Sequence, residues 1–156
     1  MTVGKSLFSN GADSFDLRRF VDAQDRVYHT VLAELRNGAK RSHWIWFVFP
    51  QLRELGRSAT ARRYGISSLE EARAYLAHPV LGPRLLECTG LVAAIDGRSV
   101  DEIFGWPDNL KVCSSMTLFA HAADDPDIEA EFRAVLDKFY DGQEDAATVE
   151  LLNSGR

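Results

Sequence analysis

Residues 40–51 read Lys-Arg-Ser-His-Trp-Ile-Trp-Phe-Val-Phe-Pro-Gln, a basic and hydroxyl-bearing head that runs straight into six consecutive apolar residues, Trp44 to Phe49. Apolar on every side, the run has no period that separates strand from helix. Its surroundings decide the matter. Every other legible segment has helical spacing, and an isolated strand would leave its backbone groups without a ladder partner. A short buried helix is therefore expected from Ser42, stopping at Pro50, which lacks the N–H needed to continue. Burial of the six side chains, worth roughly 1.5–3 kcal/mol for each large one, would hold the polar head rigidly.

Upstream, Leu17, Phe20, Val21, Gln24, Val27, Tyr28, Val31, Leu32 and Leu35 repeat at the spacing of one helical face, and Asn37-Gly38 supplies a stop. Residues 1–14 read as a frayed N-terminal segment and residues 15–153 as one domain. Downstream, Ser58 can cap a short helix through Tyr64, ended by Gly65. Ser67 with Glu70, or Ser68 with Glu71, forms a capping box for the next helix, which His78-Pro79 ends. Pro83 suits the first turn of a helix presenting Leu85, Cys88, Leu91, Val92 and Ile95. Ser99 with Glu102 makes another box, and Trp106-Pro107-Asp108 opens a helix through about Ala122. Ile128, Phe132, Val135, Leu136 and Phe139 mark a further helix, and Asp145 caps a last one. The expected fold is all-α, a single compact domain of about seven or eight short helices, with no repeat, low-complexity run or linker.

A chain of 156 residues that is 46% hydrophobic and 26% charged has the composition of one ordinary globular domain. The first ten residues lack the apolar run of a signal peptide, and no stretch approaches the roughly 20 apolar residues of a membrane span. The expectation is a cytoplasmic protein with no membrane contact. Cys88 and Cys113 are too few for a disulfide framework and read as core filler. His29, His43, His78 and His121 show no zinc-ligand spacing, and there is no Walker loop and no Gly-x-Gly-x-x-Gly. No metal and no cofactor are expected.

The net charge of −5 hides an asymmetry. From Arg36 to Arg63 seven basic residues face Glu54 alone, and from Asp124 to Glu150 ten acidic residues face Arg133 and Lys138. Such segments ordinarily form solvated faces or neutralise one another; the basic one can also attract an anion. Lys40, Arg41, Ser42 and His43 stand at the expected helix start, where free N–H groups favour negative charge. Arg41 would be the bidentate partner, Ser42 the N-cap or a ligand donor, and His43 a donor or an acid–base group. The plainer alternative is that Ser42 only caps while Lys40 and Arg41 are solvated. Ser42 and His43 do not form a dyad with each other, because helix neighbours point about 100° apart. His43 and His78 are the candidate catalytic residues. Lys111, Ser114 and Ser115 share a helix face and could wall a pocket, although their order is not the Ser-x-x-Lys of Ser–Lys enzymes. Arg62-Arg63-Tyr64-Gly65 offers a second anion-friendly segment beside an aromatic ring.

The 40–51 stretch, together with Arg63-Tyr64-Gly65-Ile66, the run from Ala74 to Gly82 and the run from Lys111 to Phe119, resembles a small bacterial family of unknown function (DUF 1810), sometimes mislabelled calpastatin. The resemblance extends from about Phe15 to about Leu152. It implies a compact all-α domain and no established activity. The matching motif positions include Arg41, Ser42, His43, Gln51, Ser58, Tyr64, His78, Lys111, Ser114 and Ser115, all polar, which implies a shared pocket. No catalytic role comes with it.

The resulting expectation is a domain that binds a small anionic ligand, a nucleotide or phosphorylated metabolite, and could also act on it. Lys40 and Arg41 would engage the anion, Trp44 or Tyr64 would stack on a planar ring, and Gln51, Ser114 or Ser115 would set orientation. Two other classes stay open. One is a non-enzymatic protein-interaction module, its partner unknown; the other, ranked third because the chain is acidic overall, is single-stranded nucleic-acid binding.

Overall fold

The apolar face that runs from Leu17 to Leu35 is one stripe in sequence but two helices in space. A computed structural model describes residues 13–154, and in it α1 (Arg18–Asp25) and α2 (Tyr28–Arg36) are separated by a break at Arg26 and Val27. The expected frayed segment at 1–14 lies outside the described residues apart from Asp13 and Ser14. Asp13 accepts hydrogen bonds on its carboxylate from the N–H groups of Leu17 and Arg18, which satisfies donors at the start of α1.

The aromatic run forms α3 (Ile45–Val48), a single turn. It starts three residues later than expected, and Ser42 is not its N-cap: Trp44 holds that position with no side-chain cap. One turn cannot bury all sides of the run. Trp44, Ile45, Val48 and Phe49 are buried, whereas Trp46 and Phe47 are half-buried.

Beyond Pro50 the chain is extended, and Leu52 pairs with Ile66 in one isolated parallel bridge. Arg53 N–H donates to the Ile66 carbonyl (2.8 Å) and Ile66 N–H to that of Gln51 (2.9 Å). Between them lie a 3-10 turn, Arg53–Leu55, and α4 (Ala59–Arg63). Ser58 caps α4 by accepting from Ala61 N–H at 3.1 Å. Gly65 makes the close approach of the two segments possible, since a Cβ there would lie 2.4 Å from Arg53 Cα.

The remaining elements are α5 (Leu69–Ala77), α6 (Leu81–Ala93), α7 (Val100–Phe104), α8 (Asp108–Ala122), α9 (Pro126–Phe139) and α10 (Ala146–Ser154). Three of the six begin on the expected caps. Ser68 caps α5, Ser99 and Glu102 close a full capping box on α7, and Asp145 accepts from Thr148 N–H at the start of α10. With α1 and α2 separate, the described residues hold ten α-helices, more than the seven or eight expected, in one all-α domain.

The core is organised around α8, on which every residue from Ser114 to Ala120 is buried. A helix enclosed on all faces needs no polar stripe. α9, α5, α10, α7 and α3 all pack on it. Tyr75, Phe119 and Phe132 form a chain of rings through this centre, at centroid separations of 5.2 and 5.9 Å.

Gly65→Ala is expected to lower the unfolding free energy by about 1–3 kcal/mol, the usual cost of overpacking, because its methyl must displace Arg53 backbone. Urea denaturation measures this. An unchanged midpoint would mean that the 51–53 and 64–66 segments are not held against each other.

Candidate functional site

The donors of the 40–44 head are already occupied, and by the chain itself. Glu34, buried on α2, accepts on Oε1 from the N–H groups of Arg41 (2.9 Å) and Ser42 (3.1 Å) and from the Trp44 indole (2.8 Å). Its Oε2 accepts from the Ser42 hydroxyl at 2.5 Å. Burial by itself would push this carboxyl up. The hydrogen bonds outweigh it and hold Glu34 down at about 2. A carboxylate thus sits where a ligand anion was expected, and its grip on 41–44 delays the start of α3.

The lysines are neutralised too. Lys40 Nζ lies 2.8 Å from Asp108 Oδ2, with only 6% of its side chain exposed, and Lys111 Nζ lies 3.6 Å from Asp108 Oδ1. Both also lie over indole rings, Lys40 over Trp44 (5.2 Å) and Lys111 over Trp46 (5.4 Å). Trp44 is wholly buried, so its ring faces are covered by protein and it stacks on no ligand as the chain stands. Arg41 and His43 are the members of the head whose side chains are exposed.

The other predicted site residues are dispersed. His78 Nδ1 accepts from the N–H groups of Val80 (3.1 Å) and Leu81 (3.2 Å), terminating the connection into α6. Ser114 donates to the Leu110 carbonyl at 3.2 Å, as helical serines commonly do. Ser115 is fully buried, its hydroxyl without a partner among the described residues. Neither serine shows a hydroxyl to a substrate. Gln51 contributes its carbonyl to the bridge with Ile66, and Ser58 spends its hydroxyl on the α4 cap. Tyr64 packs its ring against Phe47 and Phe20 at centroid distances of 5.3 and 6.0 Å.

A different set of residues does converge. Phe15, Asp16, Arg19, Arg53, Arg62 and Arg63 line an open hollow of about 350 Å³. Its floor is Arg19, whose guanidinium donates to the carbonyls of Arg63, Phe15, Asp16 and Gly65, each at 2.8 Å, and to Glu71 Oε2 at 3.0 Å. Glu71 is 1% exposed. Its other oxygen accepts from the Ser67 N–H and hydroxyl. Arg19 and Glu71 thereby neutralise each other and tie 63–65 to α1. The bridge at Leu52–Ile66 and the missing Cβ of Gly65 bring Arg53 alongside Arg62 and Arg63. Among the described residues these three arginines have no carboxylate within 4.0 Å. The Arg63 guanidinium lies 5.5 Å from the Tyr64 ring centroid.

Arg53, Arg19, Asp16 and Phe15 were not singled out from the sequence. The available signal was the excess of basic residues between Arg36 and Arg63, which marks the charge without saying which cations are left unpaired. Among the described residues no group of three or more His, Cys, Asp and Glu is placed to hold a metal ion. No helix among them is long and apolar enough to cross a membrane.

A family model described as "Protein of unknown function (DUF1810)" matches residues 14–152. The conserved hypothetical protein Rv1873 from Mycobacterium tuberculosis, solved by crystallography, is 64% identical, with 90% of this chain and 99% of that one covered and a TM-score of 0.87. No curated protein matches the chain.

Glu34→Ala strips the acceptor from three N–H donors and a hydroxyl and is expected to cost on the order of 3 kcal/mol, read by urea denaturation; a loss below about 0.5 kcal/mol would mean that water replaces the carboxylate. Because the folded value of Glu34 lies below its unfolded one, its contribution is complete above the unfolded range and disappears as pH falls towards about 2. His78 moves the other way with respect to charge. Burial depresses it below 6.5, against an opposing pull from Asp13. The unfolded chain then takes up a proton that the folded one refuses. Stability should decline as pH drops below about 6.5 and level off once folded His78 is itself protonated. His78→Asn, which still accepts from the Val80 and Leu81 N–H groups, should flatten that decline between about pH 7 and about pH 5; an unchanged slope would assign it elsewhere.

Proposed function

The chain belongs to the DUF1810 family of proteins of unknown function, and we propose that it binds a small, multiply charged anion, a nucleotide or another phosphorylated metabolite, over the guanidinium groups of Arg53, Arg62 and Arg63. One observation carries the reading: three arginines with no carboxylate partner among the described residues line a hollow of about 350 Å³ in a protein whose net charge is −5. Some other cations of the chain are spent on internal pairs, as with Lys40 and Asp108 or Arg19 and Glu71. Planar guanidinium groups present paired donors that match phosphate oxygens. Arg19, already held by five acceptors, serves as scaffold and not as ligand donor. Ser58 and Tyr64 support the site from behind, one capping α4 and the other packing beneath Arg63.

The reading differs from the sequence-based expectation in place, not in ligand class. Lys40, Ser42 and Trp44 are committed to internal partners, and Arg41 and His43 are exposed but do not line the hollow.

A thermal-shift titration with pyrophosphate tests it. The parent protein should gain about 2.7 kcal/mol at a ligand concentration a hundredfold above Kd, and an Arg62→Ala/Arg63→Ala variant should lose most of that gain. An Arg41→Ala variant should keep it. Equal stabilisation of the parent and the double variant would remove the site. The gain should also shrink as salt is raised from low to moderate ionic strength; a flat response would argue against an ionic site.

A protein-interaction reading is favoured by a separate observation. Trp106 is 79% exposed and Leu110 54% exposed, four residues apart at the entry to α8. Large apolar side chains grouped at a surface commonly mark contacts.

A further inference from the structure

Resting on the anion-binding reading, we infer that the ligand of the Arg53–Arg62–Arg63 hollow carries a vicinal diol beside its phosphate: a phosphorylated ribose, free or as part of a ribonucleotide. The observation behind this is Asp16, the one carboxylate among the described residues that lines the hollow.

Asp16 stands at φ 56°, in the left-handed region that glycine enters at far lower cost. Its backbone is fixed on both sides. The N–H donates to the Asp13 carbonyl at 3.0 Å, and its own carbonyl accepts from Arg19 Nη1 at 2.8 Å and Arg19 N–H at 3.3 Å. The conformation therefore belongs to the scaffold around Arg19, and a glycine would satisfy it. Meanwhile the carboxylate forms no hydrogen bond or ion pair among the described residues, although it shares a hollow with three uncompensated guanidinium groups.

A free carboxylate at the rim of a phosphate site repels the phosphate. Towards a neutral part of the ligand that donates hydrogen bonds it is instead a strong acceptor. Two adjacent hydroxyls meet that description, since a carboxylate can accept from both with charge-assisted bonds. The same chemistry lets an acidic side chain read a ribose in dinucleotide-binding folds. The arginines and Asp16 then divide the ligand between them, phosphate on one side and sugar on the other. Phe15, next to Asp16, offers a partly buried ring that a nucleobase could stack on.

The test is calorimetric titration of the full chain and of Asp16→Gly, a change the φ of 56° accommodates, with pyrophosphate, ADP, 2′-deoxy-ADP and ribose 5-phosphate. In the parent, ADP should bind about tenfold more tightly than 2′-deoxy-ADP, and Asp16→Gly should abolish that preference while binding pyrophosphate at least as well as the parent. Ribose 5-phosphate bound as tightly as ADP would support the diol and make the free sugar phosphate its source; much weaker binding would support the nucleotide. Pyrophosphate binding with equal affinity for the two adenine nucleotides would overturn the diol inference and leave the anion site standing. Failure of pyrophosphate and both nucleotides to bind would overturn the anion site, and this inference with it.

Discussion

The carboxylate of Glu34 is the constraint on which the arrangement of the 40–49 region depends. It sits on a regular helix, largely withdrawn from water, and satisfies four donors contributed by the segment that follows. A buried charge is tolerated when hydrogen bonds replace its hydration. In return it dictates where the following chain runs: residues 41–44 wrap around the carboxylate instead of starting a helix, and the Trp44 indole is drawn into the core. The aromatic run behind it then has room for one turn before Pro50. The segment that looks most ready for an anion has thus received one, supplied from α2.

Arg19 and Glu71 repeat the device with the roles exchanged. Here the organising group is a cation, and the carbonyls of 63 and 65 are what it gathers. Because Glu71 neutralises Arg19, the tie adds no net charge to the surface it shapes. The C-terminal end of α4 and the bridge at Leu52–Ile66 are pressed together, and three further arginines are left facing one hollow. The difference between the two regions is therefore a matter of pairing. Where a carboxylate reaches the cations, as Asp108 reaches Lys40 and Lys111, the charge is structural; where none does, as at Arg53, Arg62 and Arg63, the charge stays exposed at the surface.

Secondary structure was legible to the extent that it rests on local chemistry. Capping at Ser58, Ser68, Ser99 and Asp145, the stop at His78-Pro79 and the start of α8 beyond Pro107 each depend on residues within a few positions of one another. The late start of α3 was not legible, because its cause is a side chain eight residues away on another helix. Nor was the break between α1 and α2, since the apolar stripe continues across it. Trp46 and Phe47 were expected inside with their neighbours. A one-turn helix has too little surface contact to enclose every side, and they are half-buried.

Fold class and the presence of a basic segment in an acidic chain were set by the sequence alone, because periodicity, caps and charge counts are properties of neighbouring residues. Which cations are spent internally was decided only by tertiary structure. Lys40 meets Asp108 across 68 positions and Arg19 meets Glu71 across 52, and no local pattern encodes those meetings. Ion pairing acts over a few ångströms in space, and the fold is what converts distance along the chain into that proximity.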